Sequence, residues 1–148
     1  MQALIRTANK QDLEKLREFL IKANLGTDGI TDETVEYFLL LEDVDGELKG
    51  TLGIEAYEGF GLLRSLVVTP GQAEKEIFIL VEQMMKLAKE KGMESLFLAT
   101  NKHAALPFFN LLGFQETERA ELPSQMNSSE HIRNIINVDN SIFLKFSL

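Results

Sequence analysis

The 148-residue chain contains no cysteine, two histidines and three prolines. Without thiols, neither a disulfide framework nor a thiolate metal site can form. His103 and His131 lie far apart, without the helical spacing of paired ligands, so a metal site is not expected. Long apolar runs are also missing. No window approaches the ~18–20 apolar residues of a membrane span, and Phe38-Leu39-Leu40-Leu41 is only strand-sized. The start, Met1-Gln2-Ala3-Leu4-Ile5-Arg6, leads into a polar stretch and lacks the apolar core of a signal peptide. Asn127-Ser128-Ser129 is a glycosylation acceptor only in a secreted protein, so a loop is expected there. A cytoplasmic protein that does not enter membranes is the expectation.

Positive charge is scarce as well. Fifteen Lys and Arg face 23 Asp and Glu, for a formal net charge of −8. No basic cluster exceeds Lys89-Glu90-Lys91. A nucleic-acid binder needs a basic face, because neutralised phosphates supply much of its affinity. Nucleic acid is therefore not an expected partner, and the field mildly favours cationic ones. What is present is ordinary: 45% apolar and 26% charged residues, enough to bury a core without staples. With no repeat, low-complexity tract or linker, residues 1–148 are read as one domain.

Leu4 and Ile5 open a short strand ending near Thr7-Ala8. Asn9 is a helix cap, with Asp12 completing an acidic first turn. Leu13, Leu16, Phe19, Leu20 and Ala23 recur at helical spacing, and Gly26 and Gly29 are expected to break that helix. Thr31 or Asp32 is placed to cap a second short helix through Val35. Phe38–Asp43 reads as a strand, Asp45-Gly46 as a hairpin turn, and Leu48–Ala56 as its partner. There Leu52, Ile54 and Ala56 alternate with Gly53, Glu55 and Tyr57. Gly59-Phe60-Gly61 turns the chain into a strand over Leu62–Val68. Ile77, Leu80, Val81, Met84, Leu87 and Ala88 then form one apolar helical stripe, which Gly92 stops. With a strand over Ser95–Thr100 this makes a βαβ unit with parallel strands. Another helix carries Phe108, Phe109, Leu111 and Leu112 up to Gly113, and Phe114 begins a strand that Leu122-Pro123 ends. Ser129–Ile136 reads as a short helix and Ile142–Phe146 as a closing strand.

The fold class is α/β with a mixed sheet: antiparallel strands plus one central βαβ unit. This order of elements resembles that of the GNAT superfamily of acetyl-CoA-dependent N-acetyltransferases. Leu63-Arg64-Ser65-Leu66-Val67-Val68-Thr69-Pro70 is similar to that family's fourth strand, which ends in Val-x-Pro. Leu87-Ala88-Lys89-Glu90-Lys91-Gly92 is similar to the end of its central helix. Ala105-Leu106-Pro107-Phe108-Phe109-Asn110-Leu111-Leu112-Gly113-Phe114 is similar to its A-x-x-F-[FY]-x-x-x-G-F segment. A fainter similarity links Arg64-Ser65, Phe108-Phe109 and Leu122-Pro123 to N-acetylglutamate-synthase-like domains. The resemblance implies acetyl-CoA as co-substrate and the amine of a small molecule, an amino acid among others, as acceptor.

It also implies where acetyl-CoA would bind. The backbone of Leu66, Val67 and Val68 is expected to bond the pantetheine arm, and the start of the following helix to meet the pyrophosphate. The family's loop pattern, [QR]-x-x-G-x-[GA], uses glycines so that backbone approaches phosphate closely. Here Ala73 stands in place of Arg or Gln, Glu76 in place of the first glycine and Phe78 in place of the last small residue. Glu74 adds a carboxylate, and Lys75 and Ile77 complete the segment. The acidic pair reads either as first-turn helix stabilisation or as part of a rearranged phosphate site. Asn101 reads as a helix cap or, by the resemblance, as a polar group near the cofactor, beside Phe108 and Phe109.

Phe109 stands where many family members carry a tyrosine that protonates the departing thiolate. Tyr57 is the substitute, with packing as its other reading. Glu55 and Glu58 are candidates for the base that takes a proton from an incoming ammonium group. For Glu55 the competing reading is a solvent-facing strand residue. Arg64 is placed either to hold an acceptor carboxylate or to sit on the sheet surface. His103 reads as a helix-start residue. Loss of activity on a retained fold is the alternative function, and edge pairing through Ile142–Phe146 into a homodimer is a further expectation.

Overall fold

A computed structural model of the chain describes residues 4–27, 30–69, 74–100, 106–118 and 142–148. Seven strands form one mixed sheet: β1 (Leu4–Thr7), β2 (Phe38–Glu42), β3 (Leu48–Tyr57), β4 (Phe60–Val68), β5 (Ser95–Thr100), β6 (Gln115–Thr117) and β7 (Ile142–Ser147). Their order across the sheet is β1-β2-β3-β4-β5-β7-β6. The helices are α1 (Leu13–Lys22), α2 (Glu74–Glu90) and α3 (Leu106–Leu112). The parallel pair is β4 with β5, registered from Phe60↔Ser95 to Leu62↔Phe97, so the expected βαβ unit is present. The tail segments Leu122-Pro123 and Ser129–Ile136 lie outside the described residues, as do Asn101 and His103.

The chain divides into two compact units. The first holds Met1–Ile54 and Ser65–Lys86. Its core joins Leu16, Leu20, Ile30, Val35, Phe38, Leu40 and Leu48, with Leu13, Phe19 and Val67 packed against them. The helical spacing of Leu13, Leu16 and Leu20 places these on one face of α1. Asn9 caps the helical start through a reciprocal box: its side chain accepts from the Gln11 N–H, and Asp12 accepts from the Asn9 N–H at 2.8 Å. At the other end, α1 stops before Gly26. Asn24 takes the left-handed turn (φ 61°) that was expected of glycine; asparagine tolerates this region through local hydrogen bonds of its short side chain. The second short helix is a single 3-10 turn over Val35–Tyr37, just after the segment expected.

Between β2 and β3, the Asp43 carboxylate accepts from the N–H groups of Asp45 and Glu47, both at 2.9 Å. Gly46 supplies the positive φ of 81° that this turn needs. The antiparallel register of β2 and β3 places Phe38 opposite Gly53. A Cβ on Gly53 would run into the Phe38 ring, so this glycine exists for the phenylalanine.

The second unit holds Glu55–Arg64 and Leu87–Leu148. Here Glu58-Gly59 makes the turn, with Gly59 at φ 79°, while Phe60 and Gly61 already belong to β4. The turn is therefore shorter than the Gly-Phe-Gly expected. Leu62, Phe97, Ala99 and Phe143 form a core with Tyr57 and Phe60 against it. Phe109, Phe114 and Phe146 stack in series at 5.8 and 5.3 Å between ring centroids.

Candidate functional site

Alternation along a strand puts Glu55 and Tyr57 on one face of β3. The tight Glu58-Gly59 turn brings Arg64 of β4 back beside them. The Tyr57 hydroxyl donates to Glu55 Oε1 at 3.0 Å, and Arg64 Nη1 donates to Glu55 Oε2 at 3.0 Å. Each oxygen of one carboxylate is thus engaged, one by a phenol and one by a guanidinium. The Arg64 side chain is 9% exposed and that of Glu55 20%. Glu55 is therefore not the solvent-facing strand residue of the competing reading. Ala56, expected to share the buried face with Leu52 and Ile54, is exposed instead. Glu58 is exposed at the turn. Three separate sequence candidates, Glu55, Tyr57 and Arg64, form one connected group.

Chemically the group offers a proton acceptor hydrogen-bonded to a proton donor, with a fixed cation to hold the acceptor in place. The aromatic and aliphatic side chains against which Tyr57 packs keep part of it from water, which strengthens such polar contacts.

The cofactor-side candidates lie further along β4. Leu66, Val67 and Val68 are all half-buried, and Val67 packs on the core of the first unit. The register with β5 accounts only for Phe60–Leu62, while β4 itself runs to Val68. The strand does not run straight: Ser65, buried in its middle, has φ 57°. Its carbonyl oxygen accepts the buried Thr51 hydroxyl at 2.8 Å. Neither residue announced itself in the sequence, since serine is not a residue that ordinarily signals a left-handed backbone.

At the start of α2, Lys75 is exposed and Glu76, Ile77 and Phe78 are half-buried. Lys75 and Phe78 line a depression of about 440 Å³ with Ile79 and Glu82. Among the described residues, the buried Glu76 Oε2 has no hydrogen-bond partner, nor has Thr69 Oγ1 at the end of β4. A buried carboxylate oxygen left in this state is costly, and its charge opposes an anion at the same helix end. Glu74 opens the helix; Ala73 lies outside the described residues. Leu66–Val68 are half-buried strand residues along which an extended thioester arm could lie. The first turn of α2 does not suit a pyrophosphate in the glycine-lined way. Phe108 and Phe109 of α3 pack edge to face at 5.3 Å, with Phe109 5% exposed.

No family model matches the chain. The uncharacterized protein YwlB of Bacillus subtilis (strain 168) is 29% identical over 142 residues, 95% of each chain. Among solved structures, N-acetylglutamate synthase from Neisseria gonorrhoeae, complexed with coenzyme A and N-acetyl-glutamate, superposes on the whole chain with a TM-score of 0.80 at 20% identity. An acetyltransferase of the GNAT family from Staphylococcus aureus Mu50 gives 0.73 at 21% identity, over 99% of both chains. The PaiA N-acetyltransferase of Thermoplasma acidophilum, in complex with coenzyme A, gives 0.66 at 16% identity, over all of both chains. The chain has the GNAT acyl-CoA N-acyltransferase fold. It spans 35% of the N-acetylglutamate synthase chain, so what it shares with that enzyme is the architecture of one part. Among the described residues there is no group of His, Asp and Glu that could hold a metal ion. No described helix is long and apolar enough to cross a membrane.

Proposed function

We propose that the protein transfers the acetyl group of acetyl-CoA to the amine of a small molecule, an amino acid among the candidates. The observation that carries this is the bonded group Glu55–Tyr57–Arg64 on a GNAT fold. Acetyl-CoA supplies the thioester: the neutral amine attacks its carbonyl carbon, the C–N bond forms and the C–S bond breaks.

The chain's own residues manage the protons. Glu55 takes a proton from the incoming ammonium, directly or through one water, and leaves a nucleophilic amine. Tyr57 gives its phenolic proton to the departing thiolate and recovers one from Glu55 through their hydrogen bond. Solvent takes the second proton of the amine, so the group ends each cycle in its starting state. Arg64 holds the Glu55 carboxylate in position, and no covalent enzyme intermediate is needed. The half-buried strand Leu66–Val68 is the backbone assigned to the thioester arm, and ordering both reactants supplies much of the rate.

The test is thiol release from acetyl-CoA in the presence of a panel of amino acids and small amines. Acceptor-dependent release that E55Q abolishes supports the reading; no release with any amine at millimolar concentration counts against it. A second reading, a GNAT-fold binding domain that does not use acetyl-CoA, is favoured by one observation, the buried Glu76 Oε2 with no partner among the described residues.

A further inference from the structure

Thr51 is a fully buried hydroxyl-bearing residue in the middle of β3. Valine would fill the same space without a polar atom to satisfy. The hydroxyl donates to the carbonyl oxygen of Ser65 at 2.8 Å, and Ser65 is the one described strand residue with a positive φ, 57°. For any residue with a Cβ this backbone region is unfavourable, so something must hold it there. The neighbouring residue adds a second constraint: a Cβ on Gly50 would lie 3.1 Å from the Val67 carbonyl oxygen. Backbone of β3 and β4 therefore approach closely just after the kink. After it come three successive half-buried residues, Leu66, Val67 and Val68.

We infer that Thr51 is a positioning residue for the acyl donor. Its hydroxyl clamps Ser65 in the left-handed conformation and so sets the direction in which the N–H and C=O groups of Leu66–Val68 are presented. The inference rests on the acetyltransferase reading, which assigns that backbone to the thioester arm.

The test uses T51V, T51S and the double variant T51V/S65G, with calorimetric titration of coenzyme A and amide hydrogen exchange at Leu66–Val68. T51V should weaken coenzyme A binding about tenfold, the fold-change that corresponds to losing one hydrogen bond. T51S keeps the hydroxyl and should bind as the parent does. Glycine adopts positive φ without a clamp, so S65G in the T51V background should restore binding to within about threefold of the parent by the same reasoning. A merely structural loss at Thr51 would not be repaired by S65G. Parent-like binding and exchange in T51V, or no recovery in the double variant, would overturn the inference. If the parent protein binds no coenzyme A, the acetyltransferase reading falls and takes the donor-positioning role with it. T51V-induced exchange at Leu66–Val68, reversed by S65G, would then mark the clamp as conformational only.

Discussion

The Arg64 guanidinium lies 3.0 Å from Glu55 Oε2, with its side chain 9% exposed. Its Nη1 is thus engaged with a neighbouring carboxylate of the same site group. On this geometry E55Q should lower kcat by about 100-fold or more, the usual weight of a positioned base. R64K should produce a smaller fall, because a lysine keeps the charge but lacks the planar, pre-organised guanidinium. Y57F should lower kcat about tenfold or more by the same acid–base reasoning. Steady-state kinetics with the best acceptor check all three. A KM-only effect of R64K would show that Arg64 binds the acceptor instead.

Gly53 and Phe38 make a prediction about folding alone. G53A should destabilise the protein by about 1–3 kcal/mol, the usual cost of overpacking, because its methyl group meets the Phe38 ring. F38L in the same chain should recover part of the loss. Urea denaturation of the three variants is the measurement.

The acid side of the stability curve should be set by Asp12 and Glu42. Arg6 bonds both carboxylates, at 2.7 Å to Asp12 and 2.6 Å to Glu42, and Lys15 adds 2.8 Å to Glu42. The hydrogen bonds from Arg6 are the main cause that holds both carboxyls below their usual range, against the opposing effect of burial. Groups depressed in the folded state stabilise it fully above their unfolded pKa values, about 4. That contribution is lost as pH falls through the folded values. R6M, which takes the guanidinium from both carboxylates and leaves Glu42 with Lys15 alone, should cost about 3 kcal/mol at pH 7. The gap between R6M and the parent should narrow as pH falls below about 4. A gap that stayed constant from pH 7 to pH 3 in urea titrations would contradict this.

That network also shows where sequence reading stops. Asn9 and Asp12 are three residues apart, so their capping box was legible, as were the turn at Asp45-Gly46 and the stripe from Ile77 to Ala88. Arg6 and Glu42 are joined across 36 positions, and nothing local marks Glu42, which follows four apolar residues, as their partner. Ser65 gave no sign of its left-handed backbone, because the clamp that permits it sits 14 residues earlier. Glu55, Tyr57 and Arg64 were visible singly. Their connection depended on a turn at Glu58-Gly59 one step earlier than the glycines suggested.

Glu76 should hinder the cofactor. Its carboxylate, with one oxygen buried and without a partner among the described residues, stands at the helix end where an anion would approach. E76Q should tighten coenzyme A binding about fivefold or more, because it removes a like charge from the helix end. Calorimetric titration reads the change directly, and weaker binding by E76Q would show that the carboxylate assists instead.

Thermal unfolding against acetyl-CoA concentration tests most directly whether acetyl-CoA is a ligand of this chain. At about 100-fold over the dissociation constant, binding adds roughly 2.7 kcal/mol of stability. For a chain of this size that corresponds to a rise in melting temperature of about 5–10 °C. The account predicts such a rise; an unchanged melting temperature at millimolar acetyl-CoA would contradict it.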